Sequence, residues 1–198
     1  MKVLVILAHP EGYSFNHAVY DKVIETLEAE GHDIITHDLY AEGFIPVLPG
    51  EEISRKAILP DNIQAHCREL VETEGIIIVH PNWWGQPPAI LKGWVDRVIR
   101  PGIAYEFIET GSGDGAPRGL LNTKFALILN TSNTSTEREE GVFGDPLETL
   151  WKNCIFGLCG VDNFHRRMFN VIVTSSDSQR LLWLAETEKI VTELTGTL

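Results

Sequence analysis

Apolar runs of strand length alternate along this chain with segments of helical periodicity, and this alternation strongly constrains the fold. Such a repeat is typical of right-handed βαβ units, in which consecutive strands lie parallel and helices cover the sheet. The predicted strands are 2–8, 33–38, 75–80, 123–130 and one within 161–174. The predicted helices are 14–29, 61–74, 88–99, 145–158 and 177–195. The sequence therefore predicts an α/β fold with a five-stranded parallel sheet in the order 2-1-3-4-5.

The length and composition predict one domain of ordinary globular size. The 198 residues include 43% hydrophobic side chains, enough to bury one sizeable core, and no linker-like segment divides them. We therefore expect a single domain over 1–198. The longest irregular segments are 40–60 and 100–122, and loops of this length in a compact domain tend to be functional or interfacial.

The charge and the cysteines argue against several kinds of partner and site. A net charge of -12 disfavours nucleic acid and anionic membrane as main partners. No apolar run approaches the roughly 20 residues of a membrane span, so we expect no membrane insertion. Cys67, Cys154 and Cys159 form neither a CxxC pair nor a zinc-type repeat. We expect free thiols in a reducing compartment, no metal site and a cytoplasmic location.

Two tryptophans follow the third predicted strand. The apolar run 75–80 is typical of a buried parallel strand, and 88–99 has the periodicity of an amphipathic helix. The Gly- and Pro-containing segment between them places Trp83 and Trp84 at the carboxyl end of that strand. Ligands bind at this edge of open α/β sheets, and indole rings offer flat surfaces to a planar partner. A tryptophan-rich corner of the core is the alternative interpretation.

The turn after the first predicted strand is a candidate anion site. Gly12 relaxes the turn, and Ser14 is placed to cap helix 14–29. The free N–H groups of the first helical turn, together with the helix dipole, favour a phosphate group. His9 can add a charge-assisted hydrogen bond, although a lone histidine also fits a structural role. Because GxGxxG does not follow this strand, a Rossmann dinucleotide site is disfavoured.

Small polar residues follow the fourth predicted strand. The run 130–136 reads Asn-Thr-Ser-Asn-Thr-Ser-Thr, a dense set of donors that suits either a ligand or a solvated loop. Further on, Asp145 is placed as an N-cap, Pro146 occupies the first helical position and Glu148 completes a capping box. These residues predict the start of helix 145–158.

Three segments resemble, in the same order, the NAD(P)H:quinone oxidoreductase family of flavodoxin-like flavoproteins. The first contains His9 and the run Ser-Phe-Asn at 14–16, and the second is Asp-Leu-Tyr at 38–40 with the residues that follow it. The third is the segment 81–87 that contains the two tryptophans, hereafter the tryptophan loop, followed by Pro-Ala-Ile-Leu-Lys-Gly-Trp at 88–94. The three segments together span roughly half of the chain. The resemblance implies a flavodoxin-like three-layer sandwich, which agrees with the strand order derived above.

The resemblance also implies a flavin site built from loops at the carboxyl edge of the sheet. The implied cofactor-binding residues are His9, Ser14, Phe15, Asn16, Ala18, Pro81, Asn82, Trp83, Trp84, Gly85, Thr131, Ser132, Asn133 and Thr134. The implied substrate-binding residues are Trp84, Tyr105, Phe107 and Phe143. In the resembled family the aromatic positions matched by Tyr105 and Phe107 come from the neighbouring subunit and roof the cavity, which implies a homodimer.

The chain departs from the family's pattern at several positions. Gly85 stands where the family has a phenylalanine, and we expect this to widen the pocket. The family's Thr-Thr-Gly-Gly loop is matched by residues 131–134, which contain no glycine. Phe143 aligns with the family histidine of a proton relay, and no tyrosine occurs near 135–137 to match its partner. The relay is therefore missing from the expected mechanism.

The expected function is transfer of a hydride from NAD(P)H through flavin N5 to a quinone or similar two-electron acceptor, by a ping-pong mechanism. The expected cofactor is FAD, with FMN as the alternative, and NAD(P)H is the cosubstrate. Two other classes stay open: a regulatory flavoprotein subunit of a potassium-efflux transporter, which relatives of the family represent, and a flavodoxin-type electron carrier. The sequence alone names neither the acceptor nor the preferred nicotinamide nucleotide.

Overall fold

A five-stranded parallel sheet lies at the centre of the molecule. The computed structural model describes residues 1–109 and 115–196. The strands of this sheet are β1 (Lys2–Leu7), β2 (Asp33–Asp38), β3 (Gly75–Pro81), β6 (Phe125–Ser132) and β7 (Phe164–Asn170). They are arranged β2-β1-β3-β6-β7, which is the predicted order 2-1-3-4-5 with two hairpin strands counted between β3 and β6. The predicted five-stranded parallel sheet is therefore confirmed.

Helices cover both faces of the sheet. On one face lie α1 (Phe15–Ala29) and α6 (Asp177–Gly196), which pack against each other and against the apolar side chains that point to that side. On the other lie α2 (Asp61–Glu72) and α3 (Ala89–Val98). Since β3 and β6 are covered on both sides, every residue in these two strands is buried. Among the described residues, every helix is too short or too polar to span a lipid bilayer.

The predicted helix 145–158 begins as expected but changes its hydrogen-bonding pattern. Asp145 Oδ1 accepts the Glu148 N–H at 3.4 Å, and the short helix α5 (Pro146–Glu148) follows. Residues Thr149–Phe156 then form a π-helix, and the next N–H, that of Gly157, donates to the Lys152 carbonyl at 2.8 Å. The wider turn accompanies a completely buried Trp151, so packing decides a feature that apolar periodicity does not encode.

Two stretches for which the sequence predicts neither a helix nor a strand contain regular structure. Within 100–122, β4 (Tyr105–Ile108) pairs antiparallel with β5 (Ala116–Gly119). The four-residue strands are too short to give a clear period-2 signal, and Pro117 further weakens it. After the polar run, α4 (Thr136–Gly141) is capped by the Ser135 side chain. The glycine-rich stretch 111–115, expected to be a mobile surface loop, lies mostly outside the described residues.

A buried ion pair fixes the long segment 40–60 to α3. The Arg97 guanidinium donates to both carboxylate oxygens of Glu52, at 2.5 and 3.0 Å, and both side chains are at least 95% buried. Arg97 also donates to the Ile45 carbonyl at 2.6 Å, and Arg100 donates to the Glu52 carbonyl at 2.6 Å. Because a buried charge without a partner is costly, these contacts hold the segment in one position.

The same segment approaches α3 closely at Gly93. A Cβ atom at position 93 would lie 2.2 Å from the carbonyl oxygen of Pro46 and 2.4 Å from its Cα. The glycine inside an otherwise regular helix predicts a close approach by another backbone or a ligand, and the backbone of Pro46 makes that approach.

A neutral histidine connects the end of β3 to the π-helix. His80 Nδ1 donates to the Pro81 carbonyl at 2.8 Å, and its Nε2 accepts the indole N–H of Trp151 at 3.1 Å. The imidazole is fully buried, and this burial lowers its pKa from 6.5 to about 4. The first residue of the tryptophan loop, Pro81, is thereby held by a group that stays uncharged at neutral pH.

We expect Gly93→Ala to destabilise the protein by about 2 kcal/mol or more, because the added methyl group overlaps the Pro46 backbone. In a solvent-exposed helix, where the added methyl group meets no other atom, Gly→Ala stabilises the protein by about 1 kcal/mol. Urea unfolding of Gly93→Ala beside Gly141→Ala measures the difference, since a Cβ at Gly141 meets no atom within 4 Å. Equal stability of the two variants would contradict the close approach.

We expect the free energy of unfolding to fall as the pH falls from 6.5 toward 4, partly because of His80. The unfolded imidazole takes up a proton near pH 6.5, whereas the folded one resists protonation until about pH 4. At about 1.4 kcal/mol per pKa unit, this group contributes a loss of about 2 kcal/mol between pH 7 and pH 5. His66, whose pKa burial also lowers to about 4, adds a second loss.

Denaturant unfolding of His80→Gln at pH 7 and pH 5 tests the assignment. The variant should be less stable at pH 7 but lose less stability on acidification than the unmodified protein. His165→Gln, which alters an exposed histidine, serves as the control. If His80→Gln loses as much stability on acidification as the unmodified protein, His80 is not a source of this pH dependence.

Candidate active site

A cavity of about 850 Å³ opens at the carboxyl edge of the sheet, where the loops after β1, β3 and β6 meet. Every predicted cofactor residue except Ala18 lines it, and so do Trp84 and Phe143 of the predicted substrate residues. Its volume falls within the roughly 300–1,000 Å³ typical of small-molecule sites. The structure thus brings together three loops that are far apart in the sequence.

Three predicted site residues lie elsewhere. Ala18, at the end of the first turn of α1, borders a surface groove along that helix. Tyr105 and Phe107 are in β4, where their rings meet edge to face at 5.8 Å. Their place in a site would require a second subunit, so this assignment stays a prediction.

Five further residues line the cavity that the sequence did not single out: Tyr13, Glu139, Pro146, Ile172 and Arg180. Tyr13 is fully exposed at the rim. Arg180 comes from α6 and is held by the Ser175 hydroxyl and the Ile172 carbonyl, at 2.9 and 3.3 Å. An arginine early in a polar helix has no sequence signal that separates it from an ordinary surface cation.

The turn after β1 presents a capped helix N-terminus to the cavity. The Ser14 hydroxyl accepts the His17 N–H at 3.3 Å and is 2.9 Å from His17 Nδ1. His9 Nδ1 accepts the Glu11 N–H at 3.1 Å, which leaves Nε2 to carry the proton of the neutral ring. Burial lowers the His9 pKa, so the charge expected for its hydrogen bond is disfavoured at neutral pH.

Asn16 contacts the end of β6 as well as the cavity. Its Nδ2 donates to Thr131 Oγ1 at 2.9 Å, and both residues are buried. The contact links the first turn of α1, which follows β1, to β6, which lies two strands away from β1 in the sheet. The resemblance implies that Asn16 binds the cofactor, and the structure adds that Asn16 connects two walls of the cavity.

The tryptophan loop forms a tight two-residue turn. Trp83 and Gln86 exchange both backbone hydrogen bonds at 3.0 Å, and the two residues between them, Trp84 and Gly85, have φ of 59° and 70°. Asn82 Oδ1 accepts the Gly85 N–H at 2.9 Å. Positive φ at both central positions is typical of a type I′ turn. A residue that carries a Cβ atom, such as Trp84, adopts this conformation only at an energetic cost.

This turn projects one indole ring into solvent at the cavity. Trp84 is fully exposed, whereas Trp83 is partly covered and lies 6.2 Å from the His9 ring. The predicted widening at Gly85 is wrong, because a Cβ there would lie 2.7 Å from Pro146 Cγ. The proline ring occupies the space that a side chain would fill.

The polar run after the fourth predicted strand is partly strand and partly turn. β6 extends through Ser132, so Thr131 and Ser132 are buried at its end. Ser132 Oγ accepts the Thr134 N–H at 3.0 Å, and Asn133 Oδ1 accepts the Val173 N–H at 2.9 Å. These contacts fix the turn without the glycines of the resembled family.

A second cluster of ionisable groups lies outside the cavity lining. His37 donates to Glu42 at 2.9 Å and to Glu69 at 2.8 Å, and its ring centre is 4.0 Å from that of His66. Burial lowers the His37 pKa, but its two hydrogen bonds to carboxylates outweigh this and raise it.

The atoms of His37, Glu42 and His66 are close enough to hold a metal ion. However, His66 Nδ1 accepts the Trp94 indole N–H at 3.3 Å, which places its proton on the Nε2 that a metal would need. The cluster is therefore better described as a hydrogen-bonded ion network.

Comparisons with known proteins agree with the fold and with the resemblance. The family model Flavodoxin_2, described as a flavodoxin-like fold, matches residues 1–186. An uncharacterized NAD(P)H oxidoreductase of Haemophilus influenzae is 32% identical over 183 residues, covering 91% of this chain and 89% of that protein. Ribosyldihydronicotinamide dehydrogenase (quinone) of Mus musculus is 29% identical over 207 residues, covering 93% and 87%.

A solved structure extends this likeness to three dimensions. The NAD(P)H:quinone oxidoreductase from Methanothermobacter marburgensis has a TM-score of 0.82 and 27% identity, over 98% of this chain and 97% of that one. The resemblance to NAD(P)H:quinone oxidoreductases predicted from the motifs is confirmed, and the chain belongs to the family of the flavodoxin-like fold.

Proposed function

We propose that this protein is a flavin-dependent oxidoreductase that transfers a hydride from NAD(P)H through the flavin to a quinone or similar two-electron acceptor. The observation that carries the proposal is the cavity at the sheet edge, which combines a helix N-terminus, an arginine and an exposed indole ring. Relatives named for NAD(P)H and quinone support the same chemistry.

The residues at one side of the cavity suit the phosphate of a flavin nucleotide. The N–H groups of Phe15 and Asn16, in the first turn of α1, have no acceptor among the described residues. Such groups bind anions, and the helix dipole adds to the attraction. The Arg180 guanidinium and the His9 ring line the same cavity and supply further donors.

The residues at the tryptophan loop suit a planar ring. The backbone N–H of Trp84 has no acceptor among the described residues, and small polar groups at 131–134 line the same cavity. A bound flavin supplies reversible two-electron transfer. The loops supply binding and orientation, and FAD is the proposed cofactor. The mass of the cofactor extracted from the purified protein distinguishes FAD from FMN.

Aromatic side chains at the cavity suit a flat acceptor. Trp84 and Tyr13 are fully exposed and Phe143 is 53% exposed, although all three line the cavity. Phe143 carries no ionisable group, so it takes no part in proton transfer. We propose that nicotinamide and quinone occupy this aromatic wall in turn, which gives ping-pong kinetics.

A homodimer would complete this wall. Phe107 is 52% exposed in the β4–β5 hairpin, and apolar side chains at 45–58 are exposed in the segment that Arg97 fixes to α3. Arg100, which lies just before the hairpin, donates to the carbonyls of Glu52 and Ser54 at 2.6 and 2.9 Å, so the start of the hairpin lies beside this segment. We propose that a second copy covers this surface and places its Tyr105 and Phe107 over the cavity.

We expect His9→Ala and Arg180→Ala each to weaken flavin binding about ten- to a hundredfold. Each change removes a donor to a charged phosphate, worth roughly 1.5–3 kcal/mol. Titration of flavin into the apoprotein measures the dissociation constant. Lys189→Ala removes one positive charge from the same helix as Arg180 and, because it does not line the cavity, should leave affinity unchanged. Unchanged affinity in both cavity variants would remove this side from the cofactor site.

We expect Trp84→Ala to raise the quinone KM and Tyr105→Ala to lower turnover, because the two rings form opposite walls of a site shared by two subunits. A dimer with one chain of each variant then contains one intact site and one doubly altered site. The steady-state turnover of the mixed dimers should therefore exceed the turnover of either parent variant. If the mixed dimers are no more active than the parent variants, the proposal of a site shared by two subunits is wrong.

A further inference from the structure

Glu139 is a buried carboxylate in the cavity wall that no sequence motif identified. It lies in α4, is 3% exposed and contributes to the lining of the cavity. Burial of a carboxylate is costly unless it is hydrogen-bonded, so its partners indicate what it does. Two donors from different elements reach it, Asn82 in the tryptophan loop and Ser132 at the end of β6.

Both donors meet the same carboxylate oxygen. Asn82 Nδ2 donates to Glu139 Oε1 at 2.9 Å, and Ser132 Oγ donates to it at 3.3 Å. The other oxygen, Oε2, has no donor among the described residues and is not fully enclosed. One oxygen of the carboxylate is therefore committed to the protein, while the other has no donor among the described residues.

The contact with Asn82 controls the tryptophan turn. Glu139 only accepts, so the NH₂ group of the Asn82 amide points toward it and the amide oxygen is left for the Gly85 N–H. The Asn82 N–H in turn donates to the Thr131 carbonyl at 2.6 Å. The orientation of the turn that carries Trp84 thus follows from an acceptor on α4.

We propose that Glu139 is the positioning residue of the ring site: through Asn82 it holds the Trp84 turn, and it places a negative charge in the cavity wall. The second part rests on the proposed function, because it concerns a bound flavin. A fixed negative charge opposes the addition of electrons to a nearby ring, so it lowers the flavin's reduction potential.

The first part is tested on the apoprotein by amide hydrogen exchange. Glu139→Ala should accelerate exchange of the Gly85 N–H by about tenfold or more, because Asn82 loses the acceptor that orients it. Glu139→Gln retains an acceptor oxygen and should stay within about threefold of the unmodified protein. Glu140→Ala, an exposed glutamate in the same helix, is the matched control. An unchanged Gly85 rate in Glu139→Ala overturns the positioning role.

The second part is tested on the flavin-loaded protein by redox titration. Glu139→Gln should shift the midpoint potential of the bound flavin to a more positive value, whereas Glu140→Ala should leave the potential unchanged. A Gln variant with the potential of the unmodified protein overturns the charge role. Failure of the unmodified protein to bind flavin overturns the proposed function and the charge role together, while the exchange result on the apoprotein still decides the positioning role.

Discussion

The parallel pairing of β1, β3 and β6 determines where this molecule has a cavity. Leu7 pairs with Val79 and Val79 with Leu129, so the three strands end at nearly the same level. The chain leaves each strand at the same edge, and the three loops converge there although they are separated by helices in the sequence. A one-sided edge of this kind is a direct consequence of right-handed crossovers between parallel strands.

Buried polar contacts then fix the loops in position. Asn16 bonds to Thr131 between α1 and β6, and Glu139 bonds to Asn82 between α4 and the end of β3. His80 holds the Pro81 carbonyl where the tryptophan loop begins. Each contact is maintained because leaving a buried polar group without a partner costs more free energy than the hydrogen bond itself contributes to stability. The cavity wall is therefore organised before any ligand arrives.

The motifs found the loops more reliably than they found the complete site. His9, Trp84 and Thr131 were identified because each lies at or just after an apolar strand, where residue type and position both carry information. Glu139 and Arg180 were missed because each stands in a helix among polar residues, most of which face solvent. The apolar pattern of a helix shows which side is buried, but it does not show what a polar residue meets across a cavity.

The sequence by itself determined the five strands of the parallel sheet, their order and the three loops at the edge of the sheet, because apolar periodicity and turn residues are local properties. Only the tertiary structure decided that Pro146 fills the space beside Gly85, that Thr149–Phe156 is π-helical and that Glu139 and Arg180 enter the cavity. These features depend on packing between elements distant in the chain. Such contacts are set by the three-dimensional fit of side chains and leave no periodic signal in the sequence.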